Sequence, residues 1–392
     1  MTLYSSPLVL LKMRILNVNS TIDLKSGGGT AERTVQMSRA MVDAGQQCSI
    51  LTLDININST RIRSMEAIDV ILLPCLWKRF YVPKLVWGRV KRLVQASDIV
   101  HLMGHWSILN VLVFIAAIRT STPYVVCPAG ALGVFGRSAL LKRAYNILVG
   151  NSIIRRARAC VAITRAEFRN FEDYGVPVKR VTVIPNGVND PKCMSLQEAQ
   201  FFDEKTNSLL QRKFLLFMGR LNLIKGPDML LDAFIQVAEQ IPSYHLVFAG
   251  PDNGMLEKLK IKSEVCGLTH RVHFLGHIEG GIKNAFYSST DLLIVPSRQE
   301  AMSIVALEAG IRGKPVLVTD QCGFEDLLEV SQNLIVPATV VGLAEGILTL
   351  VQDRRRLKMI GDELMILIRD RFTWPELASN YLSLYKDIIK PD

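Results

Sequence analysis

The chain has 392 residues, 49% hydrophobic and 21% charged, a globular composition long enough for two domains. Its longest apolar run, residues 108–118, is too short to span a bilayer, so the sequence predicts no transmembrane helix. The stretch 8–11, followed by Lys12, lacks the layout of a signal peptide. Seven widely spaced cysteines, none in a Cys-x-x-Cys pair, indicate reduced thiols in a cytosolic protein.

The net charge of +10 is unevenly distributed along the chain. Residues 1–192 carry 25 Lys and Arg against 11 Asp and Glu, and residues 193–392 carry 21 against 25, so the halves have charges of +14 and −4. This asymmetry predicts that the first half faces an anionic partner: a membrane surface, a diphosphate-linked acceptor or a nucleic acid. A solvated basic surface without a partner is the alternative.

The first half alternates apolar strands with helices, a pattern that predicts an α/β domain with a parallel sheet. Its predicted strands are residues 15–18, 48–53, 69–73, 98–103, 124–127, 160–164 and 181–184. Gly27, Gly28 and Gly29 are predicted to form a loop before a helix over residues 30–44. Glycines there let backbone N–H groups approach a phosphate or a sugar, and a simple flexible turn is the alternative.

Basic and aromatic residues interleave over residues 77–92. This mixture suits the interface of an anionic membrane, where rings lie at the headgroup level and Lys and Arg meet phosphates. Segments of this kind also bind nucleic acid, and many are plain helix surfaces. We expect a membrane rather than nucleic acid. A second basic helical region is predicted over residues 137–158.

The strand at residues 98–103 brings His105 to its carboxyl end, where open α/β sheets bind ligands. In the second half, an apolar strand at 214–218 is followed by Arg220 and, five residues later, Lys225. Two cations in this position could bind a diphosphate, although surface charges are commoner. Further strands are predicted at 244–249 and 271–275. Helices are predicted at 342–350, at 354–368 and, at the end of the chain, over 372–389.

Residues 294–326 predict a strand, a polar turn, a helix over about 303–311 and a strand at 316–319. Glu300 lies in the turn, whereas Glu308 lies in a helix of apolar residues, where an ionised carboxylate needs a partner. The N–H groups at the start of this helix, those of Met302, Ser303 and Ile304, could bind an anion between the two carboxylates. The two carboxylates would bind hydroxyl groups, and the N–H groups between them would bind an anion. A sugar nucleotide offers hydroxyl, anionic and hydroxyl groups in this order.

This segment resembles the nucleotide-sugar signature of the family 4 retaining GT-B glycosyltransferases. The matching parts are Pro-Ser-x-x-Glu at 296–300, Glu-Ala at 308–309 and Gly-Lys-Pro-Val at 313–316. Arg-x4-Lys-Gly at 220–226 and Pro-Asn-Gly-Val at 185–188 are similar to further motifs of the family. The chain departs from the signature at residues 301–303, where Ala-Met-Ser replaces the usual Gly-Phe-Gly.

The resemblance extends from about residue 13 to 389 and implies a GT-B fold. That fold has two Rossmann-like α/β domains, a deep interdomain cleft and a C-terminal crossover helix. The implied N-terminal acceptor-binding domain is residues 1–190, and a linker follows at 191–212. The implied C-terminal nucleotide-sugar-binding domain is residues 213–371. Residues 372–392 would form a helix that packs back toward the first domain.

The resemblance also assigns roles to residues. Catalytic roles fall on His105, Glu300, Arg220 and Lys225, of which Glu300 would hold sugar hydroxyls and the two cations the pyrophosphate. Glu308 would hold the ribose. Other donor contacts are expected from Gly28, Gly29, His277, Ile278, Met302, Ser303 and Ile304. Because the chain contains no Asp-x-Asp sequence, we expect no metal, and no cofactor besides the nucleotide-sugar co-substrate.

We therefore expect a glycosyltransferase that extends a lipid-linked saccharide in envelope polysaccharide or lipopolysaccharide assembly. Its partners would be a nucleotide sugar, a lipid-diphosphate-linked saccharide and an anionic membrane. It would lie in the cytoplasm, peripherally associated with the inner face of the membrane. The altered residues 301–303 leave open a catalytically weak nucleotide-sugar-binding protein, and a GT-B enzyme that acts on a soluble acceptor is a further alternative.

Overall fold

A computed structural model describes residues 12–57, 62–63, 65–84, 86–133, 138–191 and 203–390. The stretch 8–11, Arg137 and half of the predicted linker, residues 192–202, lie outside these residues. The chain divides into two compact units, Met1–Pro185 with Trp374–Asp392, and Asn186–Thr373. Among the residues that the structure describes, no helix is long and apolar enough to cross a membrane.

The first unit contains a seven-stranded parallel sheet with strand order β3-β2-β1-β6-β7-β8-β9. A short antiparallel hairpin, β4-β5, follows β3. The strands are β1 Arg14–Val18, β2 Gln47–Leu53, β3 Asp69–Leu73, β4 Cys75–Trp77, β5 Val82–Pro83, β6 Ile99–Met103, β7 Tyr124–Cys127, β8 Ala159–Ala162 and β9 Val181–Val183. The central strands are buried on both faces, which explains why they are continuous apolar runs.

Helices follow most of these strands. They are α1 Leu24–Asp43, α2 Trp87–Gln95, α3 Ile108–Thr120, α4 Ala139–Tyr145, a π-helical turn Asn146–Gly150, α5 Asn151–Arg155 and α6 Phe168–Asp173. Single 3-10 turns are Lys78–Phe80, Arg165–Glu167 and Val178–Arg180.

The range of α1 includes Gly27, Gly28 and Gly29, which were predicted to form a loop, but it joins two helical segments across a kink at Gly28. Gly28 has φ 55° and ψ −140°, which breaks the helix at a single residue. The N–H of Gly27 donates to the Asp23 carbonyl oxygen at 2.8 Å, so this donor is already used within the chain. Gly28 therefore forms the kink between two helical segments, in a backbone conformation that glycine adopts at low cost.

The last helix, α14 Trp374–Ile389, packs against α1 in the first unit. Arg33 of α1 is 1% exposed and donates to the carbonyl oxygens of Ile184 and Pro185 and to the Tyr381 hydroxyl at 2.8, 2.9 and 2.5 Å. A buried guanidinium must satisfy its N–H groups, and the α14 tyrosine supplies one acceptor. The C-terminal helix is thereby anchored to the first unit.

The second unit contains a six-stranded parallel sheet with strand order β12-β11-β10-β13-β14-β15. Its strands are β10 Lys213–Met218, β11 Tyr244–Ala249, β12 Val272–Gly276, β13 Leu292–Val295, β14 Val316–Thr319 and β15 Ile335–Val336. Its helices are α7 Glu204–Leu210, α8 Pro227–Val237, α9 Leu256–Val265, α10 Gly280–Ser289, α11 Ile304–Gly310, α12 Val340–Val351 and α13 Arg354–Arg371, with 3-10 turns Leu223–Lys225, Glu325–Glu329 and Gln332–Leu334. The expected α/β class with two parallel sheets is confirmed.

Candidate functional site

Two turns meet at the carboxyl ends of β10 and β13, and Gly226 makes their contact possible. Gly226 has φ 68°, and a Cβ atom at this position would collide with the carbonyl oxygen of Pro296. The Arg298 N–H also donates to the Ile224 carbonyl oxygen at 2.7 Å. The turn after β10 therefore lies directly against the turn after β13, and only glycine fits the contact.

This contact brings together two residues that the sequence analysis assigned to different parts of the donor. Lys225 Nζ lies 2.6 Å from Glu300 Oε1, and the two side chains are 26% and 15% exposed. The other carboxylate oxygen of Glu300 accepts from Ser297 Oγ at 3.0 Å. In a partly buried pair of this kind each charge depends on the other, so removing either leaves a desolvated charge.

A second ion pair holds the two turns in register. Arg298 donates through both terminal nitrogens to the Asp228 carboxylate, at 2.8 and 2.7 Å, and to the Leu223 carbonyl oxygen at 2.7 Å. Burial alone would raise the pKa of Asp228, but the hydrogen bonds and charge of Arg298 outweigh it and lower the pKa. Two parallel bonds between a guanidinium and a carboxylate fix direction as well as distance. Arg298 thus positions the turn that carries Glu300.

Glu308 has the partners that its place in an apolar helix requires. Its two carboxylate oxygens accept from Lys283 Nζ at 2.7 Å and from the Tyr287 hydroxyl at 2.6 Å. Burial and the nearby Glu308 carboxylate raise the pKa of Tyr287 well above its usual value, so the phenol stays neutral and donates. The Glu308 side chain is 22% exposed and remains open to a ligand on one side.

The residues at the start of α11 are buried and already partly bonded. Ser303 is the N-cap of the helix, and its Oγ accepts from the Ala306 N–H at 3.3 Å. The Met302 carbonyl oxygen accepts from Asn186 Nδ2 at 2.9 Å. Met302 and Ser303 are 4% and 0% exposed, whereas Ile304 is half-buried. Their role as an anion site stays a prediction.

The other predicted donor contacts of the second unit lie at carboxyl ends of strands. Arg220 is exposed in the turn that follows β10. His277 and Ile278 follow β12, and the His277 side chain is 44% exposed with Nε2 3.7 Å from a Glu279 carboxylate oxygen. Ile278 is half-buried. These positions are open to solvent, and contact with a nucleobase stays a prediction.

His105 belongs to the first unit and is only 2% exposed. Its Nε2 lies 2.9 Å from Asn146 Oδ1, and its ring packs against Trp106, Tyr145 and Tyr174. An amide oxygen only accepts, so Nε2 carries the ring proton and Nδ1 is an acceptor. Among the described residues, Nδ1 has no hydrogen-bond partner.

Burial lowers the pKa of His105 to about 4, although the Asn146 hydrogen bond opposes the shift. The imidazole is therefore neutral at pH 7. A neutral ring with Nδ1 as its acceptor can receive a hydroxyl proton but cannot supply positive charge. The expectation that His105 acts near the sugar or the acceptor stays a prediction.

Sequence reasoning missed the residues that orient the predicted ones. Lys283 and Tyr287 are four residues apart on α10, so both face Glu308, a spacing that the sequence does contain. The role of Arg298 follows only from the close approach of two turns that are about 70 residues apart. Asn146 lies in a π-helical turn, a feature with no strong sequence signal.

Comparison with known proteins gives two family matches. The family described as "Glycosyl transferases group 1" matches residues 198–363, and the "Glycosyl transferase 4-like domain" matches residues 28–187. Lys225, Glu300 and Glu308 fall in the first match, and His105 falls in the second.

Two individual proteins that are similar to this chain share less than 30% of their aligned residues with it. An uncharacterized glycosyltransferase of Methanocaldococcus jannaschii is 28% identical over 54% of this chain and 55% of its own length. A D-inositol 3-phosphate glycosyltransferase of Xylanimonas cellulosilytica is 26% identical over 62% of this chain and 60% of its own length. The match thus spans little more than half the length of these relatives.

The fold is similar to that of solved structures over nearly the whole chain. The crystal structure of HepE from Anabaena, in complex with UDP and glucose, has a TM-score of 0.77 at 19% identity and covers 96% of this chain and 100% of that chain. This comparison shows a shared fold.

The contact at Gly226 predicts the effect of adding one methyl group. Gly226→Ala and Gly267→Ala place alanine at the same φ of 68°, but only the first meets a backbone oxygen, since nothing lies within 4 Å of a Cβ at Gly267. We expect Gly267→Ala to lower the free energy of unfolding by about 1 kcal/mol and Gly226→Ala by at least about 3 kcal/mol. Urea unfolding of both variants measures this. Equal losses would contradict the close contact.

The buried imidazole of His105 predicts a pH dependence of stability. Burial lowers its pKa from 6.5 to about 4, so the unfolded chain takes up the proton first as the pH falls. The stabilisation is complete above about pH 6.5 and is lost as the pH falls toward 4, at about 1.4 kcal/mol per pH unit for one group. In urea unfolding at pH 7, 6 and 5, His105→Gln should show a shallower decline than wild type. An unchanged decline would place the imidazole in contact with solvent.

Proposed function

Since the chain belongs to the group 1 glycosyltransferases with the GT-B fold, we propose that it transfers a sugar from a nucleotide-sugar donor to a saccharide acceptor with retention of anomeric configuration. The observation that carries the proposal is the Lys225–Glu300 pair at the carboxyl ends of β10 and β13. Open α/β sheets bind ligands at these ends. A paired cation and carboxylate there match the diphosphate and the hydroxyls of such a donor.

The pair also explains how a donor would be oriented. Glu300 and Ser297 fix the Lys225 ammonium before the donor arrives, so little side-chain entropy remains to be lost on binding. A diphosphate oxygen then joins Glu300 as a partner of Lys225, and Glu300 accepts hydrogen bonds from sugar hydroxyls. Phosphate and sugar are thereby held side by side, with the bond to be broken between them.

Glu308 would bind the ribose at the other end of the donor. Lys283 and Tyr287 neutralise and orient its carboxylate, and the exposed fifth of the side chain is the part that ribose hydroxyls would reach. The two carboxylates lie eight residues apart in the chain and each has its own lysine partner. This arrangement supports one elongated ligand that contacts both.

Negative charge develops on the diphosphate as the glycosidic bond breaks. Arg220 and Lys225 would stabilise it, since a charge pair at 4 Å contributes about 4 kcal/mol at an effective dielectric constant near 20. We propose that protein cations serve this purpose without a metal ion, in keeping with a sequence that has no Asp-x-Asp. The acceptor hydroxyl would attack from the same face that the leaving group departs, which gives retention.

For the acceptor, we propose a lipid-linked saccharide of envelope polysaccharide or lipopolysaccharide assembly. The support is an exposed apolar surface in the first unit, formed by Leu140, Leu141, Ile147 and Leu148, each between 67% and 81% exposed. Lys142 and Arg143 lie between these residues in the chain. Apolar side chains flanked by cations on a helix suit the interface of an anionic membrane.

The hairpin β4-β5 provides a second, smaller surface of this kind. Trp77 and Phe80 are 58% and 49% exposed, their rings lie 4.6 Å apart, and Arg79 lies over Phe80 at 5.6 Å. Farther along the predicted segment the apolar residues are packed, since Val90 is buried and Arg119 covers Trp87 at 5.0 Å, whereas Lys84, Arg89, Lys91 and Arg92 are exposed. Together the surfaces support a protein peripherally bound at the inner face of the cytoplasmic membrane.

A soluble acceptor is the second candidate. The name of one relative, D-inositol 3-phosphate glycosyltransferase, gives that protein a soluble phosphorylated acceptor. For this chain such an acceptor would leave the apolar surface without a function, so we favour the lipid-linked acceptor.

Donor binding tests the proposal first. We expect one of the UDP-, GDP-, ADP- and dTDP-sugars to bind in titration calorimetry with chelator present, and to be hydrolysed slowly. Arg220→Gln should weaken binding at least tenfold, which is about 1.4 kcal/mol, whereas Glu300→Gln should abolish turnover. NMR spectroscopy of the released or transferred sugar reports its anomeric configuration.

Lys258→Gln is the matched control for Arg220→Gln, because Lys258 is an exposed cation on α9. It should leave binding and turnover unchanged. Binding without turnover, even with a lipid extract as acceptor, would favour a nucleotide-sugar-binding protein. If no donor binds, the assignment of the carboxyl-end turns is wrong.

Vesicle sedimentation tests the membrane part of the proposal. Ile147→Ser with Leu148→Ser should reduce binding to vesicles of phosphatidylglycerol at least tenfold, because each buried aliphatic side chain contributes about 1.5 to 3 kcal/mol. Ile261→Ser with Val265→Ser, which changes two apolar residues of α9 that are 58% and 81% exposed, is the control and should have no effect. High salt should weaken binding of the wild type. Equal effects of both pairs would contradict this docking surface.

A further inference from the structure

A charged cavity of about 700 Å³ lies in the second unit, at the end of the sheet opposite the turns that carry Lys225 and Glu300. It is lined by residues that directly precede β13 and β14 and by the first three turns of α13. Nothing in the proposed transfer reaction uses this end of the sheet. The cavity therefore needs its own explanation.

The lining of the cavity is strongly basic. Its ionisable residues are Asp291, Arg312, Lys314, Arg354, Arg355, Lys358 and Asp362. The five cations exceed the two carboxylates by three charges. Three of the lining residues of α13 lie four positions apart, at 354, 358 and 362, so they share one face of the helix.

The charges in the first turn of α13 interact unfavourably with the helix dipole. Arg354, Arg355 and Arg356 occupy its first turn, which contains no acidic residue. The N-terminus of a helix carries partial positive charge, so each cation there is unfavourable by a few tenths of a kcal/mol up to about 1 kcal/mol. The N-cap Asp353 accepts from the N–H groups of Arg355 and Arg356 at 2.9 and 3.0 Å and offsets part of this cost. An external anion would offset the rest.

Lys314 lines the cavity two residues before β14. It is half-buried, and burial lowers the pKa of its ammonium although Asp291 opposes the shift. Asp291 lies 3.7 Å from Arg354, so this carboxylate is shared. Arg312 is already occupied by the Glu308 carbonyl oxygen and Asn284 Oδ1, at 2.5 and 2.8 Å. Lys314, Arg355 and Lys358 are thus the cations that can turn to a ligand.

We propose that this cavity is a second anion site that binds a phosphate group, separate from the donor site. A phosphate carries a charge of about −1.5 to −2 at pH 7 and offers three acceptor oxygens, which matches the excess of positive charge better than one carboxylate does. The arginine adds directional hydrogen bonds and the lysines add charge. The cavity is large enough for a phosphorylated small molecule or a phospholipid headgroup. This site does not depend on the proposed transfer reaction.

Pyrophosphate binding to the full chain tests the proposal. Titration calorimetry is done in an Arg220→Gln background, which weakens the donor site. Adding Lys314→Met, Arg355→Gln and Lys358→Gln should weaken pyrophosphate binding at least tenfold. The charge-matched control adds Arg356→Gln, Lys258→Gln and Lys260→Gln, which remove three exposed cations outside the cavity lining, and should change binding by less than twofold. Equal weakening by both sets, or by neither, would overturn the site.

A second measurement uses protein without substitutions in the cavity, in case the triple variant does not fold. The lysine side chains are dimethylated with 13C-labelled methyl groups, and their signals are followed by NMR. The signal of Lys314 is assigned by its absence from the spectrum of Lys314→Met. Saturating pyrophosphate should shift this signal and raise the pKa of Lys314, and an unresponsive signal contradicts the proposal. Soluble pyrophosphate is then compared with phosphatidylglycerol vesicles, using protein that carries Ile147→Ser and Leu148→Ser. Response to either phosphate source supports the site and identifies the source, and response to neither overturns it.

Discussion

The close approach of Gly226 to Pro296 is the constraint on which the candidate donor site depends. Without a Cβ, the turn after β10 lies against the turn after β13, and Lys225 comes within 2.6 Å of Glu300. The Arg298–Asp228 pair then fixes the two turns in one register. A cation for phosphate and a carboxylate for sugar are thereby held as one unit before any ligand arrives. The chemistry proposed for this chain follows from that arrangement.

Many of the strands could be predicted from the sequence, because strands that are buried on both faces are continuous apolar runs. The strands at 69–73, 124–127, 244–249 and 316–319 have the predicted bounds. Lys225, Glu300 and Glu308 lie in motifs, but the pairing of Lys225 with Glu300 could not be predicted. Lys283 was missed altogether, since its pairing with Glu308 requires α10 and α11 to pack together. The break at Gly28 was predicted, but the short helical segment before it, which begins at Leu24, was not.

Prediction from the sequence has a similar limit for the charged surfaces of the chain. Composition predicts an anionic partner for the first half, but it does not say which cations face it. Residues 77–92 have the stronger basic and aromatic pattern, yet of their rings only Trp77 and Phe80 are exposed, and the larger apolar surface lies on residues 140–148. The second half has a net charge of −4, and this sum over 200 residues does not reveal the basic cavity at the start of α13. Exposure and position decide these cases, and both require the folded structure.

A double-mutant cycle on donor affinity tests the central claim most directly. Lys225→Met, Glu300→Gln and the combined variant are titrated with the nucleotide sugar that binds the wild type. If the two residues bind the donor as one unit, each single change should weaken binding at least tenfold, and the double variant should be weaker than either single one by less than twofold. This corresponds to a coupling energy above about 1 kcal/mol. Additive losses, or single losses below twofold, would contradict the account.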